Sequence, residues 1–269
     1  MKDVLLALLS VLASCSKEVE EATVAPTHQP WFEDAAKEWG VDFTYQNGAK
    51  GNFHIKEVTG GGAALFDYDN DGDLDLYIVQ GSAVEGNALF ENVDGTFINR
   101  SQSSGADDNG YGIGVATGDY DNDGDVDLDV TNIGVNALLR NDGNGKFTDV
   151  TTFSGTEDEG FSACSAFGDL DGDGDLDLVV TKYLDSALIT DRECLDAHSQ
   201  RTYCNPTIYD APMPDTLFIN NGDGTFTDAT ESSGLASVKG TGLGVFISDL
   251  TGDALPDIFF FPNLFEFFS

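Results

Sequence analysis

A chain of 269 residues with 41% hydrophobic and 11% aromatic content can bury the core of one large domain or two small ones, and bulk disorder is excluded. Asp and Glu number 48 against 12 Lys and Arg, a formal net charge of −36, which repels nucleic acid and anionic lipid headgroups as partners. The 31 glycines and the scarcity of helix-favouring stretches lean toward a turn-rich β protein.

In chain order, Lys2 precedes an apolar run from Val4 to Ala13 that is too short to span a bilayer as a helix. It ends in Leu12-Ala13-Ser14-Cys15, which resembles a bacterial lipobox, where the cysteine is acylated and becomes the mature N-terminus. Residues 1–15 are therefore expected to be a lipoprotein signal and residues 16–30 a polar tether, with a lipid on Cys15 as the membrane attachment. A plain secretory signal or a buried N-terminal segment is the alternative. Residues 31–269 remain for the domain.

That domain repeats internally. Phe32 to Gly40 recurs as Phe97 to Gly105, Phe147 to Gly155 and Phe226 to Gly234, always with Gly eight residues after Phe. A second element begins at Asp67, Asp119, Asp169 and Asp249, which follow their repeat Phe by 35, 22, 22 and 23 residues. The first unit thus carries an extension around Phe43 to Thr59. Before each Asp loop runs a strand pattern of small residues, Gly60–Leu65, Gly112–Thr117, Ser162–Phe167 and Gly242–Ile247. Cys164 aligns there with Gly62, Gly114 and Gly244 and is expected to be a small buried hydrophobe. After each loop comes an apolar strand, as in Leu76–Val79, Leu128–Val130 and Leu178–Val180. Asn87–Asn92, Asn136–Asn141 and Asp215–Asn220 then lead through Gly-rich turns into the next repeat Phe, a hairpin signal. Four short strands in about 50 residues is the size of a β-propeller blade. Between the third and fourth units, Tyr183 to Pro214 form an insert.

The loops read D-x-D-x-D-G-x-x-D. Asp67, Asp69, Asp71, Asp73 and Asp75 form the first; Asp119, Asp121, Asp123, Asp125 and Asp127 the second; Asp169, Asp171, Asp173, Asp175 and Asp177 the third. Such clustering is strongly self-repelling without a cation. Calcium takes six to eight hard oxygen ligands in flexible geometry, and an oxygen-only donor set argues against zinc or copper. Side chains at positions 1, 3, 5 and 9 are the expected ligands, Gly at position 6 permits the turn, and Asp73, Asp125 and Asp175 offer carbonyls at position 7. An EF-hand needs an acidic residue at position 12, but Ile78, Val130 and Val180 stand there. The fourth loop, with Asp249, Thr251, Asp253 and Asp257, is weaker: Thr is a neutral ligand and Ala254 replaces the glycine. Three calcium sites and a doubtful fourth are expected.

Cys194 and Cys204 lie close together in the insert. Export to an oxidising compartment predicts a disulfide between them, against the alternative of two free thiols.

Phe167-Gly-Asp-Leu-Asp-Gly-Asp-Gly-Asp-Leu-Asp-Leu178 resembles the FG-GAP/VCBS repeat, the calcium-binding blade of integrin α-subunit propellers. Gly60 to Gly72, Asn220 to Asp228 and the Cys-containing insert are similar to a bacterial subgroup, the ASPIC/UnbV proteins related to cartilage acidic protein. The resemblance covers Trp31 to Asp257. It implies an exported propeller, commonly seven-bladed, used in binding or adhesion. About four units are present here. Phe259 to Ser269 hold six Phe and no closing hairpin, so a truncated propeller is expected.

The expected function is a non-catalytic, calcium-stabilised binding module at the bacterial surface or in the periplasm, gripping an exported protein or a polysaccharide. The alternatives are a propeller fragment of a larger exported enzyme and a docking subunit. The histidines His28, His54 and His198 are scattered, and no nucleophile motif appears, which argues against an enzyme. His54 and Glu57 in the first extension could line a channel, but the expected reading is ordinary surface polar groups.

Overall fold

The computed structural model describes residues 31–82, 84–189 and 192–262. The signal, Cys15, the tether and residues 263–269 lie outside the described residues. The described blades all belong to one compact unit that begins at Ala36.

The fold is all-β and consistent with a β-propeller. The first blade is an antiparallel meander of β1 (Ala63–Phe66), β2 (Asp75–Ile78), β3 (Ala88–Val93) and β4 (Thr96–Asn99). The second runs through β5 (Gly112–Gly118), β6 (Asp127–Val135), β7 (Ala137–Asn141) and β8 (Phe147–Asp149). The third begins with β9 (Glu159–Gly168) and β10 (Asp177–Leu184). An insert with the small ribbon β11 (Cys194–Leu195) and β12 (Arg201–Thr202) follows, and β13 (Thr216–Asn220) and β14 (Phe226–Asp228) complete the blade. β15 (Gly242–Ser248) and β16 (Asp257–Pro262) pair as the described part of the fourth.

Local chemistry explains the meander. The turn between β3 and β4 places Asp94 and Gly95 at φ 54° and 85°, the left-handed pair that suits the twist of a two-residue hairpin. The Asp-rich loops join the first two strands of each blade, Phe66 to Asp75 in the first and Gly118 to Asp127 in the second.

Small residues in the first strands let the blades converge. A Cβ added to Gly62 would lie 3.0 Å from the Gly114 Cα, and one on Gly114 would meet the Ala163 carbonyl at 2.8 Å and the Cys164 Cα at 3.6 Å. Cys164 is half-buried rather than buried, on a strand whose backbone N–H donates to Thr181 Oγ1 at 3.1 Å.

The Phe-to-Gly repeat is a blade-docking device. Gly105 and Gly155 end one-turn helices, α1 (Ser101–Ser104) and α2 (Thr151–Ser154), in the left-handed conformation. A Cβ on Gly40 or Gly105 would sit 2.5 or 2.7 Å from the carbonyl oxygen of Phe97 or Phe147, the repeat Phe of the following unit. The glycine is needed both for its dihedral and for the approach of one blade to the next.

Three apolar clusters hold the domain. One fills the junction of the first two blades, with Tyr77, Val79, Leu89, Leu128 and Val130. Another joins the second and third around Tyr120, Leu138, Leu178 and Phe218. The third lies at the other end of the strands from the Asp loops: Ile55 from the first extension packs there with Phe161, Tyr183, Cys204 and Tyr209. Cys194 and Cys204 are disulfide-bonded in that region.

Candidate metal centres

Each Asp loop is wound by its own carboxylates. In the first, Asp67 accepts from the N–H groups of Asp71 and Gly72 at 3.1 and 2.9 Å, and Asp71 accepts from Asp73 N–H at 2.9 Å. The second repeats this with Asp119, Asp123 and the N–H groups of Asp123, Gly124 and Asp125. In the third, Asp169 accepts from Gly172 and Gly174, and Asp173 from Asp175. Position 6 carries Gly72, Gly124 and Gly174 at φ 95–98°. The fourth loop folds alike, Asp249 accepting from Gly252 and Ala254, although Ala254 must adopt φ 73° to do so.

The carboxylate at position 9 is buried and ties the loop to the blade. Asp75 accepts from Tyr68 N–H at 2.9 Å and Asn92 N–H at 2.8 Å. Asp127 does so from Tyr120 and Asn141, and Asp177 from Leu170 and Asn220. Each thus links its own loop to the third strand of the blade.

Carboxylate oxygens converge in three groups, each within 4.8 Å: Asp67, Asp69 and Asp71; Asp119, Asp121 and Asp127; Asp169, Asp171 and Asp173. The first and third groups comprise positions 1, 3 and 5, and the second comprises 1, 3 and 9. Among the described residues no such group forms from Asp249, Asp253 and Asp257. Two position-3 oxygens, Asp69 Oδ1 and Asp121 Oδ1, are buried and accept no hydrogen bond. Desolvation, joined by neighbouring aspartates, pushes Asp69 and Asp121 above the usual carboxylate range. Burial carries Asp75 up to about 6 and Asp127 to about 8, against the pull of their backbone donors. A buried oxygen without a donor, inside a cluster of like charge, fits a hard cation that accepts oxygen ligands.

The loops also touch one another. Asn70, at position 4 with φ 60°, donates from Nδ2 to Asp125 Oδ1 of the next loop at 2.6 Å. Asn122, with φ 57°, donates likewise to Asp175 Oδ1 at 2.7 Å. At the following junction both partners change: Gly172 stands at position 4 and Leu255 at position 7, and a Cβ on Gly172 would meet Leu255 Cδ2 at 3.1 Å. Beside these links, Asn141 and Asn220 donate to the carbonyls of Tyr68 and Tyr120 in the preceding loops, each at 2.8 Å. Tyr68 stacks on Phe147, and Tyr120 lies 5.5 Å from Phe226. The role of position 4 was missed from sequence, although its restriction to Asn and Gly (Asn70, Asn122, Gly172 and Gly252) signals a left-handed residue.

Of the other groups weighed from sequence, Glu57 is buried and accepts from the Tyr203 hydroxyl at 3.2 Å, which corrects its reading as a surface group. His54 is half-buried and lines a pocket against the insert.

The FG-GAP-like repeat family matches residues 67–130 and 126–180, the stretch that holds the first three loops. A search of curated proteins returns no match. Among solved structures, an Agrocybe aegerita lectin described for specific recognition of non-reducing terminal N-acetylglucosamine is 22% identical over 73% of this chain, with a TM-score of 0.38. The match spans 45% of that lectin's chain, a likeness too loose to carry a ligand across.

Proposed function

We propose that this chain is a non-catalytic binding module whose FG-GAP-type blades are stabilised by calcium. The buried, donor-less oxygens of Asp69 and Asp121 carry this reading, because burying a charged oxygen without a partner is costly and a cation removes the cost. The first three loops would hold the ions through Asp67, Asp69, Asp71 and Asp75, through Asp119, Asp121, Asp123 and Asp127, and through Asp169, Asp171, Asp173 and Asp177. The carbonyls of Asp73, Asp125 and Asp175 would add to these sets. Calcium supplies neutralising charge there. The loops do the rest: position 9 ties each to its blade, and position 4 ties the first two to their neighbours. Asp249, Asp253 and Asp257 form a poorer fourth set.

The lipobox-like run ending at Cys15 supports an exported, lipid-anchored module whose partner is an exported protein or a polysaccharide. The thermal midpoint in calcium and in chelator tests the calcium reading. Each saturated site adds about 2.7 kcal/mol at a hundredfold excess over Kd, so several sites give a rise of many degrees. Equal midpoints would sink it.

A further inference from the structure

The end of the strands remote from the Asp loops carries a pocket of about 220 Å³. Its floor is apolar and comes from distant parts of the chain: Ile55 of the first extension, Ile133 at the end of β6, Phe161 at the start of β9, and Tyr209 of the insert. Lys56 and Arg192, both exposed, stand at its edge. Arg201 adjoins through a second cleft that it shares with Asn52, His54, Arg192 and Glu193. Three of the chain's 12 Lys and Arg therefore gather here, on a molecule of net charge −36.

The charges are placed by the fold. Lys56 Nζ lies over the Tyr111 ring at 5.1 Å, and Arg192 Nη1 donates to the Ile208 carbonyl at 2.8 Å. Neither is ion-paired with a carboxylate among the described residues. Arg201 pairs with Glu193 at 3.3 Å and lies 5.9 Å from the Phe53 ring centre. Phe53 holds φ 60°, a conformation rare for a bulky residue, and it also lines the pocket.

We propose that this pocket binds a small organic carboxylate with an apolar body, the body seated on Ile55, Ile133, Phe161 and Tyr209 and the carboxylate met by Lys56 and Arg192. The volume is below the roughly 300–1,000 Å³ of pockets that enclose a drug-sized ligand, so it suits one ring or one side-chain-sized group. A neutral apolar ligand would leave the cations unused, and a polyhydroxylated anion would have to desolvate its hydroxyls against Ile55, Ile133, Phe161 and Ile189, with His54, Ser186 and Tyr209 as the polar side chains beside the two cations. The inference rests on the binding-module reading and gives it a place and a ligand class.

Calorimetric titration of the calcium-loaded 269-residue chain with 3-phenylpropanoate tests it, beside 3-phenylpropanamide and glucuronate. The carboxylate is expected to bind saturably, and the amide and glucuronate about tenfold or more weaker. Arg192→Gln and Lys56→Gln, both at exposed positions, each weaken phenylpropanoate about tenfold while lowering the melting midpoint by no more than a few degrees, whereas Lys37→Gln leaves binding unaltered. Equal binding of the amide, tighter binding of glucuronate, binding untouched by both variants, or no saturable binding would each overturn the proposal. If the calcium-dependent melting shift persists in such a case, only this inference falls. If the shift is absent too, the calcium reading falls separately, since the melting shift tests the Asp loops and the titration tests the pocket.

Discussion

The two ends of the blades are held by different physics. At one end, aspartates are wound into loops that repel themselves, with oxygens of Asp69 and Asp121 left buried and donor-less. At the other, the first extension and the insert lock together by apolar packing of Ile55, Phe161, Tyr183 and Tyr209 and by the Cys194–Cys204 disulfide. On the proposed reading the first end depends on a cation from solution, whereas the second is stabilised by groups within the chain. A propeller built this way can lose order at its loops while its opposite face stays assembled.

Chelation should produce the largest effect and should be confined to one end. Hydrogen exchange after calcium removal is expected to rise in the Asp loops and the adjoining ends of β1–β2, β5–β6 and β9–β10, while residues 192–211 keep their protection. With three sites contributing, the loss of stability is on the order of 5–8 kcal/mol. Uniform exchange across both ends would break the comparison.

Acid should partly replace the cation. Asp75 and Asp127 titrate near 6 and 8 in the folded chain, above the ordinary value of 3.8. Between these limits the folded state binds more protons than the unfolded one, so the metal-free protein loses stability as pH rises from about 4 to about 8. Melting midpoints in chelator should fall over that range, and those in calcium should fall less. A chelated midpoint that climbed with pH would contradict the burial of these groups.

Removing the disulfide acts on the other end. Cys194→Ser with Cys204→Ser opens a loop with a sequence separation of 10, worth about 2–3 kcal/mol in the chain-entropy model. The denaturation midpoint should drop by a similar amount in calcium and in chelator. A much larger drop in only one condition would show that the ends are coupled.

The smallest effect tests the links between loops. Asn122→Ala removes the donor to Asp175, an exposed bond, and should cost about 0.5–1.5 kcal/mol. Ala also resists the φ of 57° at that position, whereas Asn122→Gly removes the donor and keeps the dihedral. A smaller loss for the Gly variant separates the two causes.

What sequence could disclose follows the same division. The loop end is periodic, so its blades, position-6 glycines and convergent aspartates were legible from spacing and residue type. Position 9 was expected as a ligand, but its buried bonds to Asn92, Asn141 and Asn220 follow from strand pairing and had no local signature. The meeting of Asn52 to Lys56 with Arg192 to Tyr209 had no periodicity to reveal it, since it depends on packing between segments about 150 residues apart. Glu57 was misread for that reason, as its partner Tyr203 lies in the insert. Cys164 was placed correctly on a first strand, yet spacing alone did not show that the strand leaves it half-exposed.

If the donor-less oxygens in the Asp loops await a cation, calorimetric calcium titration of the metal-free chain and of Asp121→Asn will show it most directly. Three strong sites are predicted in the parent, matching the three carboxylate groups, and one fewer in the variant. No calcium binding in the parent, or the same number of strong sites in both, would contradict it.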